Sequence, residues 1–211
     1  MDAIEKHQRE MNIGSHIVWA AAMWASGTSG YERENYLAAS IGFYYCVYHI
    51  GFARINTEHS FHLEDMQNIK HSKVEKWLED HLSFRESIDY KLLRFVRENV
   101  NYLGMESPRG KLSVVRGHPF GYKFENQKIS FDEMLQRCHK SSKGIFLLLL
   151  GQIEKFCKQE SWQPLQLGRE YYINEYLGED LLHGILPNDN EGNEIRRKLI
   201  LLILDEDKNY I

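Results

Sequence analysis

Apolar residues recur at helical spacing over most of this chain. Ile4, Met11, Val18 and then Trp19 or Ala22 predict a first helix over residues 3–25. The stretch SGTSG, residues 26–30, is expected to break it. Ser29 stands three residues before Glu32, a capping box that predicts a second helix running to about His59. A shorter helix is expected over about 68–80, with Val74, Trp77 and Leu78 as its apolar stripe. Ser83 and Glu86 form another capping box, and the helix they open runs to Leu103, where Gly104 can end it. A third box, Ser130 and Glu133, opens a long helix reaching about residue 159. Its apolar positions are Met134, Leu135, Cys138, Ile145, Leu148, Leu149 and Phe156. Gly144 and Gly151 within it mark either close helix contacts or tolerated glycines.

Residues 104–129 break the helical pattern with Pro108, Pro119 and four glycines. KLSVVRG followed by YKFENQKI suits a small hairpin. Beyond Gln159 the periodicity weakens: YYINEYL and EIRRKLILLIL each suit a short helix or a strand. The expected architecture is all-α: a helical bundle over residues 1–159, a polar hairpin-like insert at 104–129, and a small C-terminal appendage at 160–211.

Only YLAASIGFYYCVYHIGFARI, residues 36–55, has the length of a membrane span. His49 and Arg54 lie inside it and charged residues flank it, so the expected role is the central helix of the bundle. Composition agrees. The 211 residues are 43% hydrophobic, with a net charge of -4 and a pI near 6.2, which excludes a dominant nucleic-acid footprint but not a local patch. Cys46, Cys138 and Cys157 are far apart and lack zinc spacing, as suits a reducing cytoplasm. Met1 is followed by acidic and polar residues, so no secretion signal is expected.

Four groups of residues could carry chemistry. Tyr45, His49 and Phe52 share one face of the second helix, where a ring with a polar tip serves either packing or binding. Arg54 and His59 bracket four residues; histidine exchanges protons near neutral pH, and arginine holds phosphate. Arg94, Arg97 and Asn101 share a face of a later helix, with Tyr102 close by, and the arginines also suit surface pairing with Glu86 and Glu98. Arg109, Lys111, Arg116, His118 and Lys123 make the insert the most basic part of the chain, without a phosphate-loop spelling. Tyr122 and Phe124 add rings on which bases could stack.

The stretch NYLAASIGFYYCVYHIGFARI resembles the second helix of the HEPN superfamily, in particular the small HEPN proteins that occur beside minimal nucleotidyltransferases. Tyr44, Tyr45 and His49 fit the family's Tyr-Tyr-x-x-x-His pattern, and His71, Ser72 and Val74 fit its His-Ser-x-Val segment. Arg97, Asn101 and Tyr102 stand at the position of the family's arginine motif, with Asn101 where aspartate is common. The resemblance covers residues 30–103, with the helix over 130–159 as the last core helix; residues 160–211 have no counterpart. It implies a homodimeric helical bundle, a cytoplasmic setting among toxin–antitoxin or defence systems, and a minimal nucleotidyltransferase as a candidate partner protein. Active members cleave RNA without metal through an Arg-x4-6-His motif at the dimer cleft. Here no histidine follows within six residues of Arg97, and Arg54–His59 precedes the His71 segment.

The reading that follows is a non-catalytic HEPN-like module binding RNA, a nucleotide or a partner protein, with no cofactor, no metal and no membrane. The alternative is a metal-independent ribonuclease using Arg97 with Tyr102, or Arg54 with His59. A helical-bundle metalloprotein is weaker: Glu58 and His62 are four apart, but no Glu-x-x-His unit repeats.

Overall fold

The computed structural model describes residues 2–67, 69–101, 122–124, 127–129 and 131–164. Its elements are helices α1 (Ala3–Glu32), α2 (Tyr36–Ile55), α3 (Leu63–Gln67), α4 (His71–His81) and α5 (Phe84–Asn101), strands β1 (Tyr122–Phe124) and β2 (Gln127–Ile129), and helix α6 (Phe131–Glu160). The architecture is an all-α bundle around α2, which packs against α1, α4, α5 and α6. Ala39, Phe43, Tyr44, Cys46, Val47, Ile50 and Ala53 of α2 are fully buried. The apolar character of this segment is used up inside the chain. No helix among the described residues is long and apolar enough to cross a membrane.

The first helix does not break at SGTSG. It continues to Glu32 because the glycines there are contact points with α2. A Cβ placed on Gly42 would lie 2.5 Å from the backbone of Gly27, and one on Gly27 would lie 2.7 Å from the Phe43 ring. A glycine inside a helix costs roughly 1 kcal/mol relative to alanine. Close approach of the two backbones lets Trp24 and Phe43 bury completely and offsets that cost. Thr28 stays helical by donating its hydroxyl to the Trp24 carbonyl at 3.0 Å. Ser29 therefore lies inside α1 and does not open α2. The N-cap of α2 is Asn35, whose Oδ1 accepts from the Ala38 N–H at 3.2 Å. Glu34, with φ 56°, reverses the chain between the two helices.

Helix α2 ends at Ile55, four residues short of the expected limit. Its exit is held by Arg9 of α1, which is 1% exposed. Arg9 pairs with Glu5 at 2.8 Å and donates to the carbonyls of Asn56, Glu58 and Phe61. One guanidinium thus satisfies three carbonyls after the helix, which would otherwise lack helical partners.

Val74, Trp77 and Leu78 of α4 are buried, as their spacing predicts. On α6, Met134, Leu135, Cys138, Ile145 and Leu149 are buried, whereas Leu148 is 42% exposed. Gly144 and Gly151 face open space, so they are tolerated glycines and make no close contact within the chain. The two strands pair antiparallel, with Tyr122 opposite Ile129 and Lys123 opposite Lys128. The hairpin thus forms inside YKFENQKI, and KLSVVRG lies outside the described residues. After α6 the chain folds back on α1: Gln163 N–H donates to Glu10 at 2.7 Å, and Trp162 packs edge-on against Phe156. Residues 165–211, with YYINEYL and EIRRKLILLIL, lie outside the described residues.

Candidate functional site

Helices α2, α4 and α5 converge on a nest of aromatic rings around one arginine. Tyr44 and Tyr48 are four residues apart on α2, so they point the same way, with Tyr45 beside them. His71 and Glu75 are likewise four apart at the start of α4. The His71 ring stacks on Tyr48 at 4.0 Å between centroids and meets the edge of Tyr45 at 5.8 Å. From α5, the Arg97 guanidinium stands 4.6 Å from the centre of the Tyr44 ring and 5.6 Å from that of Tyr45. This geometry lets the ring faces stabilise the cation.

Hydrogen bonds fix the proton positions. The Tyr44 hydroxyl donates to Glu75 Oε1. Burial, reinforced by Tyr90 and Glu75, raises the Tyr44 phenol far above its usual range, so Tyr44 keeps its proton. His71 Nδ1 lies 3.3 Å from the Tyr44 oxygen and 3.4 Å from Glu75 Oε1. The single Tyr44 proton is committed to Glu75, and both neighbours of Nδ1 are lone-pair oxygens. The network therefore assigns the imidazole hydrogen to Nδ1 and leaves Nε2 as a bare acceptor. Burial lowers the His71 pKa, with Glu75 opposing and Arg97 assisting, so the ring is neutral at pH 7. Burial also lowers the Arg97 pKa, but Tyr44 and Tyr45 outweigh it and the net shift is upward. The nest thus holds one fixed cation, one carboxylate and a neutral histidine.

A second pair adjoins it. His49 of α2 meets His16 of α1 with their Nδ1 atoms 2.9 Å apart. Burial, followed by the mutual repulsion of the two rings, lowers His16 to about 3. Burial and then His71 lower His49 to about 4. Both rings are neutral, one donating to the other. Trp19, 48% exposed, stacks on His49 at 6.2 Å. A ridge of rings therefore runs from Trp19 through His49 and Tyr48 to His71.

The residues singled out in the sequence divide accordingly. Tyr45, His49 and Arg97 lie in or beside the nest. Arg94 does not: it pairs with Glu79 at 2.7 Å and with Glu98 at 3.9 Å. Arg54 donates to Gln152 at 3.1 Å, to Thr57 and to Glu58. His59 packs against Phe156 and Trp162 instead. Among the described residues no hydrogen bond or ring contact joins Arg54 to His59. Asn101 is the last residue of α5; Tyr102, Arg109, Arg116 and His118 lie outside the described residues. Tyr48, Glu75 and His16 belong to the site without having been singled out. Their i,i+4 relations, Tyr44 to Tyr48 and His71 to Glu75, were the available signal. Only the fold shows that the two pairs face one another.

No protein-family model, curated protein or solved structure matches this chain.

Proposed function

We propose that the chain is a homodimeric HEPN-like module that binds RNA or a nucleotide at the Arg97 nest. The observation that carries this reading is the Arg97 guanidinium held over the Tyr44 ring, beside the stacked Tyr48 and His71. Arginine engages phosphate or base edges, while tyrosine and histidine rings offer stacking surfaces; single-stranded nucleic acid uses both. The setting implied by the resemblance, a toxin–antitoxin or defence system with a minimal nucleotidyltransferase partner, belongs to the same proposal. Binding of mixed-sequence RNA to the purified chain is the test. Arg97→Ala should abolish it, whereas Arg54→Ala, which alters a surface pair, should not. Loss in both variants, or in neither, would remove the assignment. Failure to bind RNA or nucleotides would leave a partner protein as the better occupant.

Metal-independent RNA cleavage is a second reading, and His71 favours it. No histidine follows Arg97 in the sequence, yet a neutral imidazole from α4 enters the same nest. A neutral imidazole can accept the proton of a 2'-hydroxyl, and Arg97 can stabilise the charge that develops on phosphorus oxygens. RNA cleavage in EDTA that is lost in both Arg97→Ala and His71→Ala, and kept in His59→Ala, would establish this reading over simple binding.

A further inference from the structure

Two polar atoms of the nest are enclosed and have no hydrogen-bond partner among the described residues: His71 Nε2 and Arg97 Nε. Such atoms are rare in folded proteins and mark places where a ligand or water completes the network. They differ in what they need. Nε2 of His71 is a bare acceptor, because Nδ1 carries the hydrogen. Nε of Arg97 is a donor.

We infer that the nest is a subsite for the hydrogen-bonding edge of one unpaired nucleobase, so that the RNA taken up is single-stranded. This deepens the RNA-binding reading and rests on it. A ligand that completes both atoms must offer a donor and an acceptor on one edge. A phosphodiester has acceptors only; it would satisfy Arg97 and leave His71 bare. Each nucleobase carries an N–H beside a ring nitrogen or carbonyl on its pairing edge. In a duplex that edge is taken by the opposite strand. In a single strand it is free, and an unstacked base can enter a pocket lined by rings. Tyr45, Tyr48 and His71 supply that lining. Trp19, exposed on the same ridge, offers a flat surface for a neighbouring base. Local charge points the same way. Glu75 offsets Arg97 within the nest, and the whole chain carries -4. General attraction to the phosphate backbone is therefore small, and binding through bases depends little on salt.

The experiment uses the full chain and fluorescence anisotropy. The probes are a mixed-sequence single-stranded RNA and the same strand annealed to its complement, each at low and high salt. Single-strand affinity should exceed duplex affinity by about tenfold, with a shallow salt dependence. His71→Phe keeps a flat ring against Tyr48 and removes the acceptor. Arg97→Lys keeps the charge and removes Nε. Each should weaken single-strand binding about fivefold, the value of one lost hydrogen bond, and leave duplex binding unchanged. Melting curves identify a variant that fails to fold. Trp19→Ala, at an exposed position, then serves in its place and should weaken single-strand binding at least about fivefold. Equal affinity for strand and duplex, with a steep salt dependence, would overturn the base-edge subsite while leaving RNA binding in place. No binding of either probe would overturn the RNA-binding reading itself, and the subsite with it.

Discussion

His16 and His49 share one hydrogen bond between their Nδ1 atoms at 2.9 Å, joining α1 to α2 on the side where Trp19 lies. Only one of the two can carry the bridging proton, so the contact exists only while both rings are neutral. His16 lowered to about 3 and His49 to about 4 stand well below the ordinary value of 6.5. The unfolded chain therefore takes up protons before the folded one does. The stability of this contact is fully present above pH 6.5 and is lost as pH falls through that value toward 4. Unfolding free energy should drop by roughly 2 kcal/mol between about pH 7.5 and about pH 5.5. A His16→Asn, His49→Leu double variant should be less stable at neutral pH and show a flatter profile. An unchanged profile in the double variant would place the acid sensitivity elsewhere.

Gly42 and Gly144 are both helical glycines, with opposite expectations. A Cβ at Gly42 would collide with the Gly27 backbone at 2.5 Å, whereas one at Gly144 meets nothing within 4 Å. Gly42→Ala should cost about 1–3 kcal/mol by forcing α1 and α2 apart. Gly144→Ala should be neutral or stabilising by up to about 1 kcal/mol, the helix propensity difference. Thermal melting of the two variants measures both.

These glycines also show what the sequence carried and what it did not. The central position of α2 was legible because its apolar residues occupy every side, and four neighbouring helices cover them. The continuation of α1 through SGTSG was not legible. The local cost of glycine appears in that segment, but its compensation lies on Gly42 and Phe43 of another helix. The site behaves likewise. Arg97, Tyr45 and His49 could be singled out by residue type and spacing. That His71 and Glu75 face them depends on how α4 packs across α2, which no local pattern encodes.

Arg9 should be among the most sensitive positions outside the site. Its guanidinium is buried and carries Glu5 together with three carbonyls of the segment after α2. Arg9→Ala leaves those carbonyls without their donor and opens a cavity, at a cost of about 3–5 kcal/mol. Hydrogen exchange should show the loss first as faster exchange in residues 56–61. Uniform loss of protection over the whole chain, with no local excess there, would mean that Arg9 does not hold this segment.

Assembly is the remaining expectation, and the fold changes its basis. The resemblance to HEPN proteins implies a homodimer, and the apolar second helix had seemed to require one. That second argument falls away, because α1, α4, α5 and α6 of the same chain surround α2. What the described surface offers a second copy is the outer face of α6, where Leu148 is exposed between Gly144 and Gly151, both open. Small residues on either side of a leucine allow two helices to approach closely. Light scattering should give twice the 24.9 kDa of one chain. Leu148→Glu places a charge in the middle of that face and should shift the mass toward one chain without lowering the melting temperature of the monomer, because position 148 supports no core contact. A dimer that survives Leu148→Glu would move the interface to another face, and a wild-type mass of one chain would count against the homodimer altogether.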